Sequence, residues 1–272
     1  MLNFENRSNK DKTIEKIDVT VNGVTKPYTN NDIIKAKDTL EIMVPAEYSE
    51  KENVMKLEVK GRFTDGSVCE YSGELNYLIA SNKIDTSKEP DILIPEDCSI
   101  VSAMYYGEED LSGKMWIAAD EDNFYMTIEA TDNIHASPNL SSGIWNNDGI
   151  QFGIGRGSVE IGIPYYELGA SVLDNGETQF WCWNDSFGNG KAGEVKWSNS
   201  SVKRDESTLT TTYEIVIPWE EIKPVTFEDG MMAFSFLINE NDGMGRIGYI
   251  EWGSGIGSTK NTGMYRTILF SR

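Results

Sequence analysis

The sequence predicts an all-β protein: a small immunoglobulin-like sandwich over residues 1–86, then a larger β-sandwich or jelly roll over residues 87–272. Three observations lead there. Apolar and polar residues alternate through many short segments bounded by Gly, Pro, Asn and Asp. No long segment keeps a helical period. The composition also changes along the chain. All seven tryptophans follow residue 115, and the charge is uneven, with 12 Lys+Arg against 15 Asp+Glu up to Thr86 and 12 against 29 beyond it. The polar stretch Ser81–Pro90, ending in proline, reads as the linker between the two parts.

In the first part, Ile14–Val21 alternates, with Ile17, Val19 and Val21 on one face. Asn22-Gly23 is a hairpin signal, and Val24–Tyr28 is the return strand. Thr39–Val44, Val54–Phe63 and Ser67–Leu75 continue the pattern, giving about six strands. Nothing in this part suggests chemistry, and it reads as a spacer or accessory module.

The second part is patterned more sharply. Lys114–Ala119 and Phe124–Thr131 flank the turn Asp120–Asn123. In Gly149–Gly155, Ile150, Phe152 and Ile154 share a face, with Gln151 opposite. Thr178–Trp183 sets Phe180 and Cys182 against Trp181 and Trp183. Leu209–Ile217 alternates up to Pro218, and Trp219–Ile222 reads as one helical turn. Met232–Ile238, Ile247–Trp252 and Thr267–Phe270 complete the set.

Composition excludes several functions. The formal charge is −20, which argues against nucleic acid and anionic membrane as partners. No apolar run approaches the ~18–20 residues of a membrane span. The first residues carry neither a basic nor an apolar signal region, so no signal peptide is expected within this chain. His135 is the single histidine, which rules out multi-histidine metal sites and leaves a haem without a clear second ligand. Cys69, Cys98 and Cys182 form no CxxC pattern. The acidic runs Glu108–Asp110, Asp120–Asp122 and Glu220–Glu221 read as solvated turns, and no Glu-x-Asp-x-x-Glu pattern of a sandwich glycosidase is present. Glu251 is the best lone acid candidate. No catalytic residue and no organic cofactor are expected. The turns Asp120–Asn123 and Asp132-Asn133 could offer oxygens to a structural calcium, with ligands not assignable.

The tryptophans are the strongest functional signal. Sugars present apolar C–H faces and hydroxyl rims, which suit an exposed indole beside planar polar groups. Trp145 lies in a turn-rich loop six residues before Gln151, and Trp252 stands where a strand opens into a glycine loop. Trp181 and Trp183 share a face that is either exposed or part of a core. Trp116, Trp197 and Trp219 read as core.

The order of motifs in residues 90–272 resembles that of family 9 carbohydrate-binding modules. Asp110–His135 resembles their opening hairpin, and Ile144-Trp-Asn-Asn-Asp-Gly-Ile-Gln-Phe152 resembles their Trp–Asp–strand segment. Thr212–Trp219, Phe234–Asp242 and Arg246–Ser254 resemble the later strands. The resemblance implies a non-catalytic β-sandwich with structural calcium, appended to a secreted bacterial enzyme or a surface protein. It would clamp a plant-type oligosaccharide or polysaccharide unit between Trp145 and Trp252. Gln151 would stand where relatives use an acidic side chain; Trp181 and Trp183, outside the motifs that carry the resemblance, are further candidate binding residues. A structural or protein-interaction module on the same fold is the alternative, and a carbohydrate-active enzyme a weaker one.

Overall fold

The computed structural model describes residues 2–28, 31–42, 54–102 and 104–271. The chain divides into two compact units, Met1–Tyr77 and Leu78–Arg272. The division falls nine residues before the expected boundary. The stretch read as a linker lies along the second unit: Ala80 is buried in its core, Ser81 bridges Ala118, and Trp116 Nε1 donates to the Lys88 carbonyl at 3.0 Å. Its polarity reflects an exposed outer side.

The first unit contains β1 (Leu2–Glu5), β2 (Lys12–Val21), β3 (Val24–Tyr28), β4 (Ile33–Ile34), β5 (Thr39–Ile42), β6 (Val54–Phe63) and most of β7 (Val68–Ala80). Antiparallel pairing gives the order β3-β2-β6-β7, and β1 pairs with β5 as a separate ribbon. Asn22 and Gly23 both have positive φ (47° and 83°), as a two-residue hairpin turn requires. Ile14, Ile17, Val19, Ile42, Val59 and Phe63 form the core, with Leu2, Phe4 and Leu40 of the ribbon packed against it. Val44, expected in the fifth strand, lies outside the described residues.

The second unit is a two-sheet sandwich. Its strands are β8 (Ile92–Ile94), β9 (Ser99–Ser102), β10 (Leu111–Ala119), β11 (Asn123–Asp132), β12 (Gly149–Arg156), β13 (Tyr165–Val172), β14 (Thr178–Asp185), β15 (Gly193–Val195), β16 (Ser201–Asp205), β17 (Thr210–Pro218), β18 (Met231–Glu240), β19 (Gly248–Trp252) and β20 (Arg266–Phe270). One sheet runs β16-β17-β11-β10-β8. The other runs β15-β14-β13-β12-β18, with β19 and β20 pairing successive stretches of β18. The turn expected at Trp219–Ile222 is a 3-10 turn, Trp219–Glu221. Periodicity did not predict β13, because Glu167 and Gly169 interrupt its apolar run.

Phe124, Ile128 and Ile215 from the first sheet meet Phe152, Phe234 and Phe236 from the second in a closed core. Each fully buried large side chain contributes roughly 1.5–3 kcal/mol by removal from water. Alternation then sends the other residues of the second sheet to its outer face. One cross-strand row on that face carries Glu194, Trp181, Gly169, Gln151, Leu237 and Glu251. A second, smaller apolar cluster of Leu237, Tyr249, Ile256 and Tyr265 covers part of the same face.

Candidate functional site

Trp145 is 43% exposed. It sits on the 3-10 turn Ser141–Asn146, which is tied down by hydrogen bonds at Ser141, Ser142 and Asn146. Gln179 Oε1 accepts from Ser141 N at 2.7 Å, Trp183 Nε1 donates to the Ser142 carbonyl at 2.8 Å, and Asn146 Oδ1 accepts from Arg246 N at 2.8 Å. The turn thus spans from β14 to the loop that carries Arg246. The Arg246 guanidinium lies over the Trp145 ring at 5.1 Å and over the Tyr249 ring at 5.0 Å.

Beside this stack is a buried polar network on the outer face. Arg246 Nη1 donates to Asn239 Oδ1 at 3.1 Å, and Asn239 Nδ2 donates to Gln151 Oε1 at 3.2 Å. Lys260 Nζ pairs with Glu167 Oε1 at 2.5 Å. Gln151 is itself buried and approaches Glu167 Oε1 at 3.4 Å. Arg246 makes no ion pair among the described residues; its partners are neutral oxygens, and burial lowers its pKa. Trp183 packs against Gly169, where an added Cβ would come within 2.7 Å of its ring. Trp181 and Trp183 are both half-buried on this outer face, which resolves the question of their side.

Trp252 is elsewhere. It is 4% exposed, pairs with Phe236 in register, and joins the core beside Phe234 at 6.2 Å. Arg266 covers its ring at 4.9 Å. Trp252 and Gln151 therefore lie on opposite faces of one sheet, and Trp145 and Trp252 do not form the expected clamp. Alternation along β19 is the reason: Ile250 and Trp252 point inward while Tyr249 and Glu251 point outward. Tyr249, Arg246, Asn239, Glu167 and Lys260 were not singled out from the sequence. The signal available was Asn239, a polar residue continuing the apolar strand Met232–Ile238. Glu251, the lone acid candidate, is buried, and Ser254 donates to it at 2.5 Å. Trp116, Trp197 and Trp219 are buried.

A second constellation closes one end of the sandwich. Asp132, His135 and Asp148 form one group and Asp110, Glu240 and Asp242 another, each with ligand atoms within 4.8 Å of one another. The groups draw on both sheets: Asp110 and Asp132 flank β10 and β11, and Glu240 ends β18. Asp148 accepts backbone N–H bonds from Ala136 at 2.6 Å and Asn241 at 2.7 Å. Glu240 is 2% exposed, and among the described residues neither of its carboxylate oxygens has a hydrogen-bond partner. Burial, reinforced by Asp132, Asp110 and Asp242, pushes its pKa up to about 9. Burial also raises Asp132 and Asp148, and their mutual repulsion adds to the rise at Asp148. His135 Nε2 lies 3.1 Å from the Val172 carbonyl oxygen, and burial lowers its pKa.

Buried carboxylates gathered this closely, with both Glu240 oxygens lacking a donor among the described residues, are what a hard divalent ion needs, so the donor set fits calcium. Of the two turns expected to offer oxygens, Asp132 enters this cluster. The Asp120 carboxylate is instead taken up by Asp122 N, Asn123 N and the Tyr125 hydroxyl. All three cysteines are free.

No family model and no curated protein matches the chain. Among solved structures, it is similar to a family 9 carbohydrate-binding module from Caldicellulosiruptor kristjanssonii in complex with cellotriose. That match has 14% identity and a TM-score of 0.48, covering 72% of this chain and 94% of the other. The module in complex with glucose matches with 14% identity and a TM-score of 0.46, covering 72% and 96%.

Proposed function

We propose that the outer face of the second sheet binds a plant-type oligosaccharide or polysaccharide unit without catalysing a reaction. The observation that carries this reading is the half-exposed Trp145 ring beside Arg246, with the amides of Gln151 and Asn239 behind it. An indole supplies a platform for the C–H face of a sugar, and guanidinium and amide groups suit its hydroxyl rim. Trp145, Trp181, Trp183 and Arg246 are the binding residues of this proposal, with buried Gln151 positioning Arg246 from behind and Trp252 supporting the sheet from its core side. The module acts as an accessory part of a secreted bacterial enzyme or a surface protein. Tethering to further domains would make a weak affinity sufficient. Calcium at the carboxylate cluster is its structural cofactor, and the first unit is a spacer.

The test is isothermal titration calorimetry with cello-, xylo- and manno-oligosaccharides in calcium-containing buffer, using Trp145→Ala and Trp183→Ala as variants. Saturable heat that Trp145→Ala abolishes supports the reading. No heat with any of the sugars rejects it. The burial of Trp252 favours one rival, a structural or protein-interaction module, since it removes half of the expected clamp. Absence of heat would shift the reading there.

A further inference from the structure

We propose that a calcium ion held by Asp110, Glu240 and Asp242 controls the aromatic face through Asn241, so that the face is ordered only when the ion is bound. The functional consequence rests on the carbohydrate reading above; the structural coupling does not.

The case for an ion rests on two independent observations. The carboxylates converge within 4.8 Å. Glu240, 2% exposed, turns a carboxylate oxygen into that space, and among the described residues neither of its oxygens has a hydrogen-bond partner, nor has the buried Asp242 Oδ1. Buried anionic oxygens left without donors are costly, and a hard cation taking oxygen ligands satisfies them together.

Asn241 is the residue between Glu240 and Asp242, and it is 1% exposed. Its backbone N–H donates to Asp148 Oδ1 at 2.7 Å. Its side-chain Nδ2 donates to the Ala136 carbonyl at 3.1 Å and to the Asn146 carbonyl at 2.8 Å. Its Oδ1 accepts from Gly243 N and Gly245 N, both at 2.9 Å. One amide therefore holds the turn that carries Trp145 and the loop that leads to Arg246. Asn146 completes the tie by accepting from Arg246 N.

Arg246 and Ile247 anchor the far end of the loop, but its tip is exposed. Met244 is 79% exposed, and Gly243 and Gly245 both have φ of +91°. A segment with few buried contacts opens readily, so fixing its stem lowers the cost of ordering it. Without an ion, both Glu240 oxygens and Asp242 Oδ1 bond to nothing at that stem among the described residues. A cation would tie both neighbours of Asn241, Glu240 and Asp242, to Asp110. By linkage, a sugar that needs Trp145 and Arg246 in place would bind more tightly to the calcium form, and calcium would bind more tightly to the sugar complex.

The experiment compares the full chain stripped with EDTA and reloaded with calcium chloride. Calcium binding is measured by titration calorimetry, and ordering by amide hydrogen exchange over residues 141–147 and 241–247. Calcium should bind, and it should slow exchange in both segments at least tenfold. If a sugar binds, calcium should raise its affinity within the roughly 5–150-fold range of ordinary coupling. Asn241→Ala should retain calcium binding while the effect on residues 141–147 disappears. Absence of calcium binding overturns the proposal, as does binding that leaves exchange in residues 141–147 unchanged. If no sugar binds in either state, the carbohydrate reading fails, and the exchange data still decide the coupling. Should Asn241→Ala fail to fold, the wild-type comparison is sufficient.

Discussion

Replacing Trp252 and Trp145 separately by alanine sets the core role of one tryptophan against the surface role of the other. Trp252 is 4% exposed, packs on Phe234 at 6.2 Å and carries Arg266 over its ring at 4.9 Å. Truncating a buried tryptophan costs about 3–5 kcal/mol in lost transfer and cavity formation. For a unit of this size each kcal/mol moves Tm by roughly 2–4 °C, so Trp252→Ala should melt about 6–20 °C lower. Trp145 is 43% exposed, and its main identified ring contact is Arg246, worth about 0.5–1 kcal/mol at an exposed site. Trp145→Ala should therefore melt within about 4 °C of wild type and lose sugar binding. Scanning calorimetry at fixed calcium concentration measures the first quantity and titration calorimetry the second. A Trp252→Ala protein that melts within about 2 °C of wild type would refute the packing argument. So would a Trp145→Ala protein as unstable as Trp252→Ala.

Other expectations follow from the same contacts. With EDTA present, stability should fall as pH rises from about 4.5 towards 9. Glu240 ordinarily titrates near 4.5 but is raised to about 9 in the folded protein, so the folded state holds the extra proton across that window. Each such proton contributes a slope of about 1.4 kcal/mol per pH unit, and saturating calcium should flatten it; a calorimetric Tm series at pH 5–8 with and without calcium tests both parts. Glu240→Gln puts a neutral side chain there without the cost of holding a proton far above the ordinary pKa of a carboxyl, so at pH 8 in EDTA it should melt above wild type, while its Tm should respond little to added calcium. Gly153→Ala would bring a Cβ to 2.2 Å from the Tyr265 hydroxyl oxygen. Displacing that ring should cost about 1–3 kcal/mol in a denaturant titration, with the far-UV spectrum unchanged.

Strand existence was widely legible because alternation is a local property. Val54–Phe63 is a strand over the span its pattern indicates, and Thr178–Trp183 extends by only two residues to Asp185. The opposition of Gln151 to Ile150, Phe152 and Ile154 was legible for the same reason. The strand β13 was not, because Gly169 leaves room for the Trp183 ring and Glu167 pairs with Lys260, neither of which its own segment reveals. Trp252 was misplaced at the site because a glycine loop follows it. Its strand register, shared with Ile250, decides its face instead.

The sequence by itself determined the β class, the acidic charge, the hairpin at Asn22-Gly23 and the absence of multi-histidine chemistry, all of which depend on neighbouring residues or on counts. The tertiary structure alone decided that Trp145 meets Arg246, that Trp252 enters the core, and that Asp110, Asp132, Asp148 and Glu240 converge. Those outcomes depend on sheet register and on how the two sheets face each other. Both are set by packing between segments far apart in the chain, which no local pattern encodes.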